Sequence, residues 1–207
     1  MESDVKDALK EAWGSSIGFL SVLATLGAAY IASSLFNDWK DEQEHHNKLR
    51  LINLCFNSVH SYTKSINSIA YLISSSKIQA KKTLSLQPLV NDEVKLKLLD
   101  QLEQDMEKVF IKKLEVYEAA GELKKNLKRL YEYNKTEYKE IPQLDINLHY
   151  KFINIDNLLE IHLYANNVSL NEIINNYQEA LNLIRLLKDF IDEKLVIFLD
   201  RKYSPNK

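Results

Sequence analysis

The chain has 207 residues, with 27 Lys and Arg against 29 Asp and Glu, for a net charge of −2 and a pI of about 6.2. That balance lacks the basic excess of nucleic-acid-binding domains, so no nucleic-acid partner is expected. A single cysteine, Cys55, rules out an intrachain disulfide scaffold, and only 4 Gly and 3 Pro leave room for long helices, which points to an all-α chain.

Residues 1–12 form a short polar leader, MESDVKDALKEA, with four acids against two lysines. It lacks the basic start of a signal peptide, and the apolar stretch after it exceeds the usual 7–15 residues of a signal core. From Trp13 to Phe36 no residue is charged. A helix of that length is about 36 Å long, enough to cross a hydrocarbon layer about 30 Å thick. We therefore read 13–37 as a single transmembrane helix and 38–207 as a helical soluble domain. Trp13 and Trp39 lie about 39 Å apart on such a helix and serve as interfacial anchors. Lys40, Lys48 and Arg50 on the distal flank outnumber Lys6 and Lys10, which places the large domain on the cytoplasmic side of an inner membrane.

Within this segment Gly14, Gly18, Ser21, Thr25, Ala28 and Ala32 recur at spacings of four and three. Small residues let helix backbones approach closely in lipid, so the seam predicts a homo-oligomer formed through the span. A second three-four seam follows in Leu49, Ile52, Phe56, Val59, Thr63, Ile66, Ala70 and Ile73. It packs either inside the chain's own bundle, the favoured alternative, or between chains.

Ser74-Ser75-Ser76 predicts a weakening of the first helix, and Leu84 to Val90, with Pro88, a connection. Asn91 offers an N-cap for a long helix to about Tyr138, which Gly121 kinks or divides. Pro142 ends that region. Leu144, Ile146, Leu148, Tyr150 and Phe152 alternate with polar residues, which reads as an extended segment or short hairpin over 144–152. A helix over about 154–166 follows. Ser169-Leu-Asn-Glu172 is a capping box opening a last amphipathic helix with Ile173, Ile174, Tyr177, Leu181, Ile184, Leu187, Ile191, Leu195 and Phe198. The soluble part reads as a bundle of about four helices.

Chemistry is sparse. There is no Gly-rich phosphate loop, no H-E-x-x-H, no G-x-S-x-G and no paired cysteines. Glu42, His45 and His46 share one helical turn but imply no third ligand. Asp156 with Glu160, and Asp189, Asp192 and Glu193, read as solvated faces. No catalytic residue, metal or cofactor is expected, and the chain does not read as an enzyme. The cluster Lys124, Lys125, Lys128 and Arg129 is the one local charge asymmetry, a contact for anionic lipid or for a protein partner.

The sequence Ala24-Thr25-Leu26-Gly27-Ala28-Ala29, then Trp39-Lys40, then a polar helix reaching Leu54 to His60, resembles small bacterial membrane proteins of prophages and mobile elements, some grouped as phage abortive-infection proteins. The resemblance covers residues 20–62 and assigns no functional residue; such families often have two spans. It implies a role in host defence or phage exclusion. Together these features predict a membrane effector that acts by assembly under partner control. The alternative is a membrane-tethered scaffold that recruits a cytosolic protein through its helical domain, the last amphipathic helix offering the face.

Overall fold

A computed structural model describes residues 2–86, 91–164 and 169–203, leaving out the side chains of 2–9, 11, 12, 14, 15, 17, 18, 92, 95 and 160–164. Among the described residues every regular element is helical: α1 Glu2–Leu86, α2 Asp92–Tyr133, α3 Ile141–Tyr164, α4 Leu170–Phe190, a π-turn Ile191–Val196 and α5 Ile197–Tyr203. The chain divides into two compact units, Met1–Asn47 and Lys48–Lys207, and α1 contributes to both.

In the first unit every side chain from Phe19 to Asn47 is exposed. This stretch holds an apolar window of mean hydropathy 1.8 with none of it buried, so α1 is long and apolar enough to cross a membrane. Thr25 Oγ1 donates to the Ser21 carbonyl at 2.9 Å, so the helix satisfies this hydroxyl internally.

In the second unit the core is built from three-four seams. On α1, Ile52, Cys55, Val59, Tyr62, Ile66, Ile69, Ile73, Ser76, Ala80 and Thr83 are buried in an unbroken alternation of three and four that keeps one face on its neighbours, with Ser58 buried beside Val59. The predicted seam is therefore half right. Ile52, Val59, Ile66 and Ile73 are core, whereas Leu49, Phe56, Thr63 and Ala70 flank it half-buried, with Cys55, Tyr62 and Ile69 in their place. The seam packs within the chain. Tyr62 meets Phe152 of α3 edge-on at 6.4 Å, Phe56 meets Tyr203 of α5 at 6.5 Å, and Lys77 Nζ donates to Gln178 of α4. Lys48 ties the start of this stretch to Glu137 at 2.7 Å.

Helix α2 repeats the pattern through Leu102, Met106, Val109, Lys113, Val116, Ala120, Leu123, Leu127 and Leu130, all buried or half-buried. Helix α3 packs on α2 and on α4. On α4, Ile173, Tyr177, Ala180, Ile184 and Leu187 are buried. Continued three-four spacing would next turn Lys194 inward. The π-turn absorbs one residue, so Leu195 is buried and Lys194 stays exposed.

Several expectations need correction. Residues 144–152 are not extended but lie in α3. Leu144, Leu148 and Phe152 are also four apart and share a helix face that is buried or half-buried, while Ile146 and Tyr150 are exposed. Pro142 begins this helix rather than ending the one before it, because a first turn leaves its N–H groups unpaired in any case. The triple serine does not weaken α1: Ser76 is buried at a small seam position and the helix runs on to Leu86. Gly121 does not divide α2, which ends at Tyr133. The caps stand where predicted: Asn91 Oδ1 accepts from Val94 N at 3.1 Å and Ser169 Oγ from Glu172 N at 3.2 Å. Pro88 and the end of the predicted 154–166 helix lie outside the described residues.

One charged pair sits in this core. Lys113 Nζ lies 2.6 Å from Asp156 Oδ1, with the two side chains only 5% and 10% exposed, and Tyr117 donates its hydroxyl to Asp156 Oδ2. Removing one member leaves the other charge buried without its counter-ion, so Lys113→Met should destabilise the fold by about 3–5 kcal/mol, with Lys113→Met plus Asp156→Leu recovering most of it; urea unfolding followed by circular dichroism reads this directly. A second expectation concerns alkali. Burial pushes the Cys55 thiol from 9.0 up to about 12, and raises the Tyr62, Tyr138 and Tyr177 hydroxyls above 10.0. The neutral thiol is favoured in the fold, so its contribution is complete below pH 9 and is lost as the pH climbs toward 12, by at most about 1.4 kcal/mol per pH unit. Unfolding midpoints measured across the alkaline range should be flat and then fall, and Cys55→Ala should delay the fall to the tyrosine range.

Candidate functional site

Helices α2 and α3, with Tyr62 of α1, line an open cleft of about 200 Å³. Its floor is apolar and aromatic: Tyr62 from α1, Tyr117 and Leu123 from α2, Leu148 and Phe152 from α3. The Phe152 ring receives Tyr117 edge-on at 5.0 Å, and the Tyr117 hydroxyl is held by Asp156, which is held by Lys113. The aromatic wall is thus fixed from behind by the buried ion pair. Gly121, Lys124, Asp145 and His149 form the mouth.

Two further depressions adjoin it. One, of about 150 Å³, lies between α2 and the first turn of α3 and is bounded by Lys124, Lys128, Tyr131, Pro142 and Asp145. The other, of about 510 Å³, is an open trough along α2 lined by Gly121, Lys124, Lys125, Lys128, Arg129 and Glu132. Lys124 borders all three. The predicted basic cluster therefore borders three separate hollows that share Lys124 as a wall.

Its four cations differ in their commitments. Lys125 pairs with Glu122 at 3.1 Å. Arg129 donates to Asn126 Oδ1 at 3.2 Å, Asn126 Nδ2 to Ser58 Oγ at 2.6 Å, and Ser58 Oγ to the Leu54 carbonyl at 2.9 Å. This polar relay pins α2 to α1. Lys124 and Lys128 are exposed and have no ion pair among the described residues, so their charge faces outward.

The other predicted residues lie in the first unit. Trp13 and Trp39 are exposed, Trp39 against Phe36 at 6.0 Å. Ser21, Thr25, Ala28 and Ala32 are exposed along one side of α1; the surroundings of Gly14 and Gly18 lie outside the described residues. Glu42 and His46 form an exposed contact at 3.7 Å, and no group of three or more metal-ligating side chains occurs among the described residues. Asp156, placed on a solvated face from its sequence, instead belongs to the core. Sequence reasoning missed Lys113, although a lysine on the Val109–Val116 seam was a visible signal. Asp145 and His149 carried none, because the segment was read as extended. The face of α4 suggested for recruitment is occupied by the bundle itself.

Comparison with protein-family models, characterised proteins and solved structures finds no match to this chain.

Gly121 is itself exposed on α2, and a Cβ added there meets nothing within 4 Å. Gly121→Ala should therefore raise stability by about 0.5–1 kcal/mol through helix propensity alone, a gain of about 2–4 °C in Tm for a domain of this size, measurable by thermal circular dichroism. A loss of stability would mean that the backbone at Gly121 carries a constraint.

Proposed function

We propose that this chain is a single-pass protein of a bacterial inner membrane, with its bundle in the cytoplasm, acting by association of its spans under the control of a partner, in defence against phage. The observation that supports it is the contrast between the two parts of α1. From Ile52 to Thr83 its apolar seam is buried in the bundle, whereas Leu20, Ile31, Leu35, Phe36 and their neighbours are exposed, with no cover among the described residues. Lipid is the phase that removes such a surface from water, at about 25 cal/mol per Å². The small-residue seam then gives the span a preferred face for a second span. Defence as the setting follows from the resemblance of residues 20–62.

A second reading, a tethered scaffold, is favoured by the cleft and its basic rim, a surface suited to a cytosolic protein. The two separate on full-length variants. Ala28→Leu, on the seam, should leave membrane insertion intact and reduce chemical crosslinking between spans severalfold. It should also abolish any collapse of membrane potential, followed with a potential-sensitive dye during induced expression and phage challenge. Lys124→Glu with Lys128→Glu should abolish the response while crosslinking persists. Unchanged crosslinking in Ala28→Leu would reduce the span to a plain anchor and leave the scaffold as the function.

A further inference from the structure

The outer face of α2 changes character along its length. Phe110, Ile111, Leu114 and Tyr117 expose apolar surface over two turns; the basic cluster follows beyond Gly121 and runs from Lys124 to Arg129. Gly121 sits where the two meet, at the mouth of the 200 Å³ cleft. Glycine weakens an exposed helix relative to alanine, and nothing inside the fold asks for it here. No described glycine has a positive φ, and a Cβ at Gly121 has open space around it. What an absent side chain does provide is room for another backbone to come close.

We propose that this face docks a helical segment of a partner protein that crosses α2 at Gly121, places one aromatic side chain in the cleft and sets acidic side chains against Lys124 and Lys128. The occupant follows from three features of the surface. The cleft's volume is near that of a cavity that takes one benzene ring, about 150 Å³, and below the roughly 300 Å³ at which pockets for drug-sized ligands begin. It therefore takes a side chain rather than a whole small molecule. The apolar strip from Phe110 to Tyr117 prolongs the contact along one axis, which suits an amphipathic helix lying in a groove. Lys124 at the cleft mouth and Lys128 one turn beyond it, with no ion pair among the described residues, put positive charge on the α2 side, across from Asp145 on α3, which selects a partner whose carboxylates lie over α2. An aromatic anchor beside complementary charge is the usual composition of an interface's energetic centre. An anionic lipid surface would read the charge but has no use for an aromatic slot or for a missing Cβ. The proposal concerns the bundle alone and stands whether or not the spans associate.

The test is selection of a displayed library of randomised helical peptides on the full chain held in a neutral-lipid nanodisc. Enriched peptides are expected to carry an aromatic residue flanked by acids. Their binding should fall about tenfold or more on Gly121→Leu, which fills the mouth of the cleft, and on Lys124→Glu with Lys128→Glu. Repeating the selection on the charge-reversed protein should invert the preference to basic peptides. All three substitutions are at exposed positions and leave Tyr62 and Phe152 of the cleft floor untouched, and circular dichroism of both variants should match that of the parent chain. Failure to enrich any peptide overturns the proposal, as does enrichment without acidic or aromatic bias or binding indifferent to both variants. Binding of bilayers containing phosphatidylglycerol that is lost on charge reversal but unaffected by Gly121→Leu would assign the face to lipid instead.

Discussion

The alternation of three and four along α1 from Ile52 to Thr83 organises the whole bundle. A helix has 3.6 residues per turn, so residues spaced by an average of about 3.5 stay on one slowly turning face. Successive seam positions held in this way give a continuous ridge on which α3 finds a partner through Tyr62, while the residues flanking it reach α4 through Lys77, α5 through Phe56 and α2 through Ser58. Other details read as adjustments to that ridge. Ser76, Ala80 and Thr83 are small because the seam admits small residues near its end, and Thr83 turns its hydroxyl back onto the Gln79 carbonyl at 3.0 Å. The π-turn of the last helix preserves an apolar seam past Ile191 at the expense of one irregular turn.

Much of this was legible in the sequence because helix periodicity and caps are local signals. Asn91 and Ser169 announce themselves by residue type and spacing. The length of the apolar run needs no knowledge of tertiary structure. What failed was the choice between patterns that share residues. Leu144, Leu148 and Phe152 belong equally to an alternation of two and to a helix face of period four. Only the presence of α2 and α4 as covering layers, and the absence of any second strand among the described residues, selects the helix. The second column of the α1 seam failed for a related reason. Phe56 and Cys55 are adjacent and both apolar, and which one turns inward depends on the partner helices, not on α1.

The candidate site was the least legible part, because it is made of residues whose meaning depends on their neighbours in space. Lys113 is an ordinary charged residue until Asp156 is placed 2.6 Å away in the core. A buried ion pair is weak evidence for stability, since well-packed apolar residues can replace it without loss. Its geometry suggests positioning: it holds the Tyr117 hydroxyl through Asp156 and so sets the ring that walls the cleft. The polar relay from Arg129 through Asn126 and Ser58 acts likewise behind the basic rim. Both devices lie directly behind the surface that opens outward.

Polar groups fixed behind a surface and charges left facing solvent in front of it have opposite energetic signatures. The first cost desolvation and return it as defined geometry. The second cost little in water and return nothing to the fold, because exposed lysines without partners add no measurable stability. A bundle selected for stability alone would carry alanine rather than glycine at 121, where a Cβ meets nothing within 4 Å. Stability therefore does not account for the arrangement around Gly121, and the same logic applies to the span. In the proposed span, small residues at Ser21, Thr25, Ala28 and Ala32 would bury less against lipid than leucines, and on that proposal what they offer in exchange is close approach by another helix.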